Sequence, residues 1–203
     1  MLEKMLLIPT LLFGGGGDQS SHPPNFGQPA ITSEKVIERR CPKERVKEIY
    51  AKLLNELAVD EEVGNSYEGE ERDPIGKIFQ SDVDVTKKFK KGMCRQISHR
   101  LFYDLYKICS QVYILVIENR DGSSHIAVMY VGEDGQKYVA DLSCELQYCE
   151  WFPNVFKRNE PRLYGVPLEK YKEQNKYLRR MYILNENPIN NGKSFGELKF
   201  VPL

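Results

Sequence analysis

KGMCRQISHRLFYDLYK (Lys91–Lys107), followed by SQVYILVIENRDGSSHIAVMYVGEDGQKYVADLS (Ser110–Ser143), is the stretch whose reading decides the fold. Ile97, Leu101, Leu105 and Ile108 recur at spacings of three and four, the mark of one buried stripe on a helix of about four turns. Cys94 stands three residues before Ile97, on the same stripe and in the first turn. Gly92 lets the backbone close in tightly ahead of it. Unpaired N–H groups and the positive end of the helix dipole favour thiolate there over thiol. Arg95, Lys90 and Lys91 add positive charge nearby.

Val112–Ile117 is continuously apolar and β-branched, which suits a buried strand. Turn residues at Asn119–Gly122 and Gly132–Gly135 bound a second strand over His125–Val131, and a third covers Lys137–Leu142. An antiparallel hairpin therefore brings His125, which opens one strand, to the edge where Asp141 closes the next. Whether they share a face depends on the loop. A three-residue loop with Gly135 left-handed pairs Gly132 with Gln136 and Ala127 with Asp141, which leaves His125 diagonal to Asp141 at ~7–8 Å. A two-residue loop turns them to opposite faces. The chemistry needs the odd-length loop.

A Gly-x-Cys at a helix start, a His opening a strand 31 residues on and an Asp ending the next strand 16 residues later resemble the transglutaminase-like branch of the papain-type cysteine enzymes. The resemblance covers about a quarter of the chain. It implies an α+β fold with a papain/transglutaminase-like core, in which the nucleophile helix packs on an antiparallel β-sheet. It also implies catalytic roles for Cys94 as nucleophile, His125 as base and Asp141 as the group that orients the base. The chain departs from the pattern at Ile126-Ala127, where Ala-Trp commonly follows the histidine, and at Lys88, where papain-type enzymes carry an oxyanion glutamine. Gln80 and Gln96 are the other candidates for a second oxyanion donor, beside the backbone N–H of Cys94.

The same residues have a plain reading. Cysteine on an apolar stripe is usually core filling, and a histidine or aspartate at a strand end is ordinary. His99 is the rival base, but five residues along the helix it points well off the cysteine's face and reads as exposed or hydrogen-bonded within the core.

With 203 residues, 41% of them apolar, the chain has material for one domain and a proper core. Its 29 basic and 29 acidic side chains cancel, so no global field points to nucleic acid or an anionic surface. No apolar stretch is long enough to span a membrane. Five irregularly spaced cysteines are not a disulfide framework and read as thiols in a reducing, cytoplasmic setting, with one extracellular disulfide as the alternative. Cys144 and Cys149 lack the second half of a zinc site. No cofactor or metal is implied, and Asp82 with Asp84 is too little for a calcium loop.

The N-terminal arm and Gly/Ser/Pro-rich linker take residues 1–30, and a single catalytic domain takes 31–203. Met5–Phe13 reads as a strand or hydrophobic arm rather than a secretory signal. An additional amphipathic helix follows Pro42, with Val46, Ile49, Tyr50, Leu53, Leu54 and Leu57 on one face. Residues 60–73 read as an acidic loop, and Lys87, Lys88, Lys90 and Lys91 as solvated surface or a bias toward acidic substrates. Tyr148, Trp151, Phe152 and Phe156 pack on the sheet or wall the cleft. Leu168–Leu184 reads as a last helix, and Glu197–Leu203 as an edge strand in which Pro202 is tolerated.

The activity this implies is acyl transfer through a thioester on amide bonds of protein or peptide substrates. Water as second substrate gives a protease or glutamine deamidase, and an amine gives a transglutaminase; hydrolysis is preferred because no second binding lane is visible. An acetyltransferase with the same triad, or a non-catalytic binding module on the same fold, are the alternatives.

Overall fold

The computed structural model describes residues 39–65, 75–147, 162–184 and 200–203. The chain divides into two units, Met1–Val36 and Ile37–Leu203. The first lies outside the described residues, as do the arm and linker expected over 1–30, the Tyr148–Phe156 aromatics and Cys149.

The second unit is mixed α/β, built on an antiparallel sheet. Helix α1 (Lys43–Glu56) follows Pro42, which stands just before the first turn. Val46, Tyr50 and Leu53 of its apolar face are fully buried. A short strand β1 (Ala58–Val59) and a turn of helix α2 (Glu61–Asn65) follow, so the first half of the expected acidic loop is helical. Glu61 and Glu62 occupy its first turn, where the helix dipole favours acids.

Helix α3 (Ile75–Phe89) is a correction to the sequence reading, which placed no helix there. Ile78, Phe79, Val83 and Val85 are buried, but so are Asp82 and Thr86. Polar residues on the buried face break up the apolar period. Lys90 then takes a left-handed φ of 59°, ending α3 and starting strand β2 (Lys91–Gly92), which pairs in parallel with β1.

Helix α4 (Cys94–Tyr106) begins on the cysteine. Ile97, Leu101 and Leu105 are buried as the stripe requires, and truncating any one to alanine is expected to cost about 2–5 kcal/mol. The helix stops at Tyr106, and Ile108 lies beyond it, partly buried. α4 packs against α3 on one side and against strands β3 (Val112–Asn119) and β4 (Ser124–Val131) on the other.

Strand β5 (Lys137–Ala140) completes the hairpin, followed by helix α5 (Leu142–Gln147), strand β6 (Val166–Pro167), helix α6 (Leu168–Gln174) and strands β7 (Leu178–Leu184) and β8 (Phe200–Pro202). Among the described residues the sheet order is β6-β5-β4-β3-β7-β8, with every pairing antiparallel. Leu168–Leu184 is thus a short helix and a strand rather than one helix. β7 pairs with β3 across an irregularity at Glu118/Asn119, and Arg179 and Arg180 are both exposed, so β7 lacks the alternation that would have marked it. β8 lies at the sheet edge and carries Pro202, as expected.

The cysteines correct a second expectation. Cys41, just before α1, and Cys109, just after α4, form a buried disulfide with Cα atoms 5.0 Å apart. Their segments run side by side: Ser110 N–H donates to Arg39 O at 2.9 Å, and Arg39 N–H to Ser110 Oγ at 2.9 Å. The two partners are 68 residues apart, so spacing alone did not reveal the pair. Among the described residues no helix is long and apolar enough to cross a membrane.

Candidate active site

The β4–β5 loop settles the geometry. Gly135 has φ +80°, and Gly132 N–H donates to Gln136 O at 2.9 Å. Val131 pairs with Lys137 and Val128 with Ala140, the register of the three-residue loop. His125 and Asp141 therefore share a face, and His125 Nε2 lies 2.9 Å from Asp141 Oδ1 and 3.0 Å from Oδ2. Both residues are buried, at 4% and 0% exposure, whereas Cys94 is partly exposed. His125 and Asp141 are closed off from water, whereas Cys94 as a whole residue keeps partial exposure.

α4 docks on β4 where β5 has run out. Ile126 lies beyond the last β4–β5 pair, Val128 with Ala140, so its main-chain groups need other partners. The Ser98 hydroxyl donates to Ile126 O at 2.7 Å, and the Ile126 N–H donates to the Cys94 sulfur. Ser98, one turn after Cys94, thus fixes the cysteine beside His125. Sequence reasoning passed over it, because a serine on a helix has no signature without its acceptor.

Cys94 and His125 are hydrogen-bonded to each other. With Nε2 on the carboxylate, Nδ1 is the ring nitrogen left for the sulfur. Burial pushes the Cys94 thiol up, but the His125 hydrogen bond and charge and the Ile126 N–H outweigh it, leaving the thiol below its ordinary value. Burial pushes the His125 imidazole down, yet the Asp141 charge and hydrogen bond, then those of Cys94, raise it well above the usual value. Both shifts favour thiolate paired with imidazolium.

The lysines and Arg95 do not supply that stabilisation. Arg95 Nε donates to Asp82 Oδ2 at 2.9 Å, Lys91 Nζ to Asp60 Oδ2 at 3.1 Å, and Lys90 pairs with Glu56. Lys87 Nζ sits 4.5 Å from the Tyr103 ring centre and Lys88 Nζ 4.9 Å from that of Phe89. The basic run is engaged with neighbours of its own.

Asp141 has a second structural task. It precedes α5, and its Oδ1 accepts from Cys144 N–H at 3.1 Å and Ser143 Oγ at 3.3 Å, capping the helix. Tyr171 Oη of α6 donates to Oδ2 at 2.6 Å, and Tyr50 Oη to the Asp141 carbonyl at 3.1 Å and to Glu145 at 2.7 Å. Burial pushes the Asp141 carboxyl up, but the His125 charge and hydrogen bond, with Tyr171 and Cys144, hold it below its usual value. Tyr171 read from the sequence only as a packing contact.

The oxyanion candidates separate. Gln80 is exposed on α3 and its amide donates to Asp84 Oδ1 at 2.8 Å. Gln96 is buried, and its Oε1 accepts from Met93 N–H at 3.0 Å, closing the first turn of α4. A Cβ on Gly92 would come within 2.8 Å of Gln96 Cβ, which is why glycine stands there. The Cys94 N–H is at the first helical position, where no acceptor exists within the helix.

His99, the rival base, belongs to another cluster. Its Nδ1 lies 2.7 Å from Asp82 Oδ2, and its ring centre is 4.8 Å from that of Phe79. Asp82 also takes Arg95, and so is part of a buried clasp between α3 and α4 rather than a cation site with Asp84. No group of three or more metal-binding side chains gathers among the described residues.

No protein-family model matches this chain, and no curated protein matches it.

Proposed function

We propose that this domain is a cysteine-dependent acyl-transfer enzyme with a papain/transglutaminase-like core, acting on amide bonds of protein or peptide substrates. The reading is carried by one observation: the thiol of a partly exposed cysteine is hydrogen-bonded to a buried imidazole whose other nitrogen rests on a buried carboxylate. The Cys94 thiolate attacks the carbonyl carbon and a C–S bond forms, while the Cys94 N–H donates to the developing oxyanion. His125 hands its Nδ1 proton to the leaving nitrogen as the C–N bond breaks, giving a thioester. Asp141 keeps the imidazole in place throughout. Water or an amine, deprotonated by His125, then releases the acyl group and restores the thiol proton to the pair.

Hydrolysis, as protease or glutamine deamidase, is preferred to transamidation. The buried bridge Cys41–Cys109 favours the extracellular alternative over a reducing cytoplasm. The test compares proteins exposed to the wild type with proteins exposed to Cys94→Ala. New chain termini identify a protease, a one-dalton gain at glutamine a deamidase, and crosslinks a transglutaminase. None of the three, with Cys94 alkylating no faster than an ordinary thiol, supports the binding module instead. A stable acetyl adduct on Cys94 after incubation with acetyl-coenzyme A supports the acetyltransferase.

A further inference from the structure

Asp141 is shared. Its Oδ2 receives His125 Nε2 at 3.0 Å and the Tyr171 hydroxyl at 2.6 Å, while its Oδ1 receives His125 at 2.9 Å, Cys144 N–H and Ser143 Oγ. Tyr171 is fully buried and comes from α6, far along the chain from the residues that define the triad. Its main chain is held too, because Asn175 N–H donates to Tyr171 O at 3.0 Å. The hydroxyl is therefore fixed against the carboxylate.

We propose that Tyr171 is a positioning residue of this site: its hydroxyl competes with His125 for Asp141 Oδ2, and so sets how firmly the imidazolium is held and the alkaline pH at which it loses its proton. The proposal rests on the triad reading above. A donor on a carboxylate stabilises the ionised acid and draws charge from the oxygen it touches. The carboxylate then grips its other donor less tightly. Tyr171 thus keeps Asp141 ionised in a site where burial opposes ionisation, and it also limits the pull of Asp141 on His125. A base held too tightly keeps its proton instead of passing it on, so such a limit has a use in the leaving-group step.

The titratable groups around the carboxylate come from each packed element. They are His125 on β4, Tyr171 on α6, Cys94 on α4 beyond the imidazole, Glu145 and Cys144 on α5, and Tyr50 on α1. Tyr50 reaches the Asp141 carbonyl and Glu145, not the Asp141 carboxylate, which makes it a matched control.

The experiment is the rate of Cys94 alkylation by iodoacetamide against pH, read by peptide mass on the intact chain. In the wild type the thiolate–imidazolium pair gives an acid limb, where the thiolate forms, and an alkaline limb, where His125 loses its proton. Tyr171→Phe keeps the ring and removes the donor, and its alkaline limb is expected to move up by about one pH unit. Site-specific difluorotyrosine at position 171, a stronger donor of nearly the same shape, is expected to move it down, and this holds even if Tyr171→Phe folds poorly. Tyr50→Phe is expected to leave the limb in place. An alkaline limb that stays put or falls in Tyr171→Phe, or is unmoved by difluorotyrosine, overturns the role of Tyr171 and leaves the triad standing. A wild type with the single limb of an ordinary thiol overturns both.

Discussion

Two buried carboxylate–histidine pairs flank helix α4, and they differ in what completes them. His125 and Asp141 lie on the sheet side, His99 and Asp82 on the α3 side, with donor–acceptor distances of 2.9 and 2.7 Å. The third member of the first is Cys94; that of the second is Arg95, the next residue. Neighbours on a helix point about 100° apart, so consecutive positions serve different sites. At Asp82 a guanidinium takes up much of the carboxylate's capacity, and the aromatic ring of Phe79 packs on the histidine. At Asp141 the donors are neutral apart from His125, so its charge is available to an imidazolium. A carboxylate beside a histidine is no mark of chemistry. In the proposed reading the difference lies in Cys94 beside His125 and in the fact that, among the described residues, no second cation bonds to Asp141.

Several substitutions separate the two pairs, the largest first. Removing the proposed nucleophile with Cys94→Ala should abolish turnover, and His125→Ala should lower it by roughly 10³–10⁴-fold while the protein stays folded, as measured by product mass and circular dichroism. His99→Ala should leave turnover per folded molecule within a few-fold. Equal losses at the two histidines would erase the distinction.

Asp82→Ala is expected to destabilise by about 3–5 kcal/mol, because Arg95 and His99 lose a buried partner. Denaturant unfolding reads this, while the pH profile of Cys94 alkylation should be unchanged. Asp141→Asn should also destabilise, but unlike Asp82→Ala it should move the alkaline limb of Cys94 alkylation down.

The pH dependence of stability divides similarly. Asp141 titrates below its unfolded value of about 3.9, so its contribution is in place above that and lost as pH falls through the lower folded value. His125 is raised above its unfolded value of about 6.5, so its contribution is full below that and lost as pH rises through the higher folded value. Wild type minus Asp141→Asn should show both losses in urea unfolding across pH. A difference that is flat with pH would contradict them.

The disulfide holds the far end of α4, which both pairs share. Cys41→Ser with Cys109→Ser is expected to cost about 2–4 kcal/mol in denaturant unfolding, without favouring either pair. Smallest of all, Lys91→Ala breaks an exposed, solvent-screened pair with Asp60 and should leave the denaturation midpoint almost unchanged. It should also leave the Cys94 alkylation profile in place. A clear shift would return to the lysines a role that His125 and Ile126 now fill.

Much of the fold and the sheet side of the site was legible because local rules governed it. The Ile97–Leu105 stripe, the apolar run at Val112 and a glycine at position 135 each fix a conformation from a few neighbouring residues. The register that unites His125 with Asp141 stayed open between two loop lengths, and the left-handed Gly135 with the Val131–Lys137 pairing selects the three-residue one. The rest depended on contacts distant in sequence. α3 was hidden because Asp82 and Thr86 stand where apolar residues would mark the buried face: Asp82 meets Arg95 and His99 of α4, and the Thr86 hydroxyl is satisfied by the Asp82 and Val83 carbonyls of its own helix. β7 was hidden by Leu178, Met181 and Tyr182, whose spacing imitates a helix. Tyr171 and the Cys41–Cys109 bridge left no local trace, since each is defined by a partner 30 or more residues away.

The charge state of the His125 ring tests the central claim most directly, through ¹⁵N imidazole resonances titrated in the wild type and in Cys94→Ala. The chain has three histidines, so assignment by substitution is simple. The wild-type ring should remain doubly protonated well above pH ~6.5, and replacing Cys94 should bring its titration down. A His125 that is neutral at pH ~7 in the wild type, and indifferent to the loss of Cys94, would contradict the pairing on which the proposed chemistry depends.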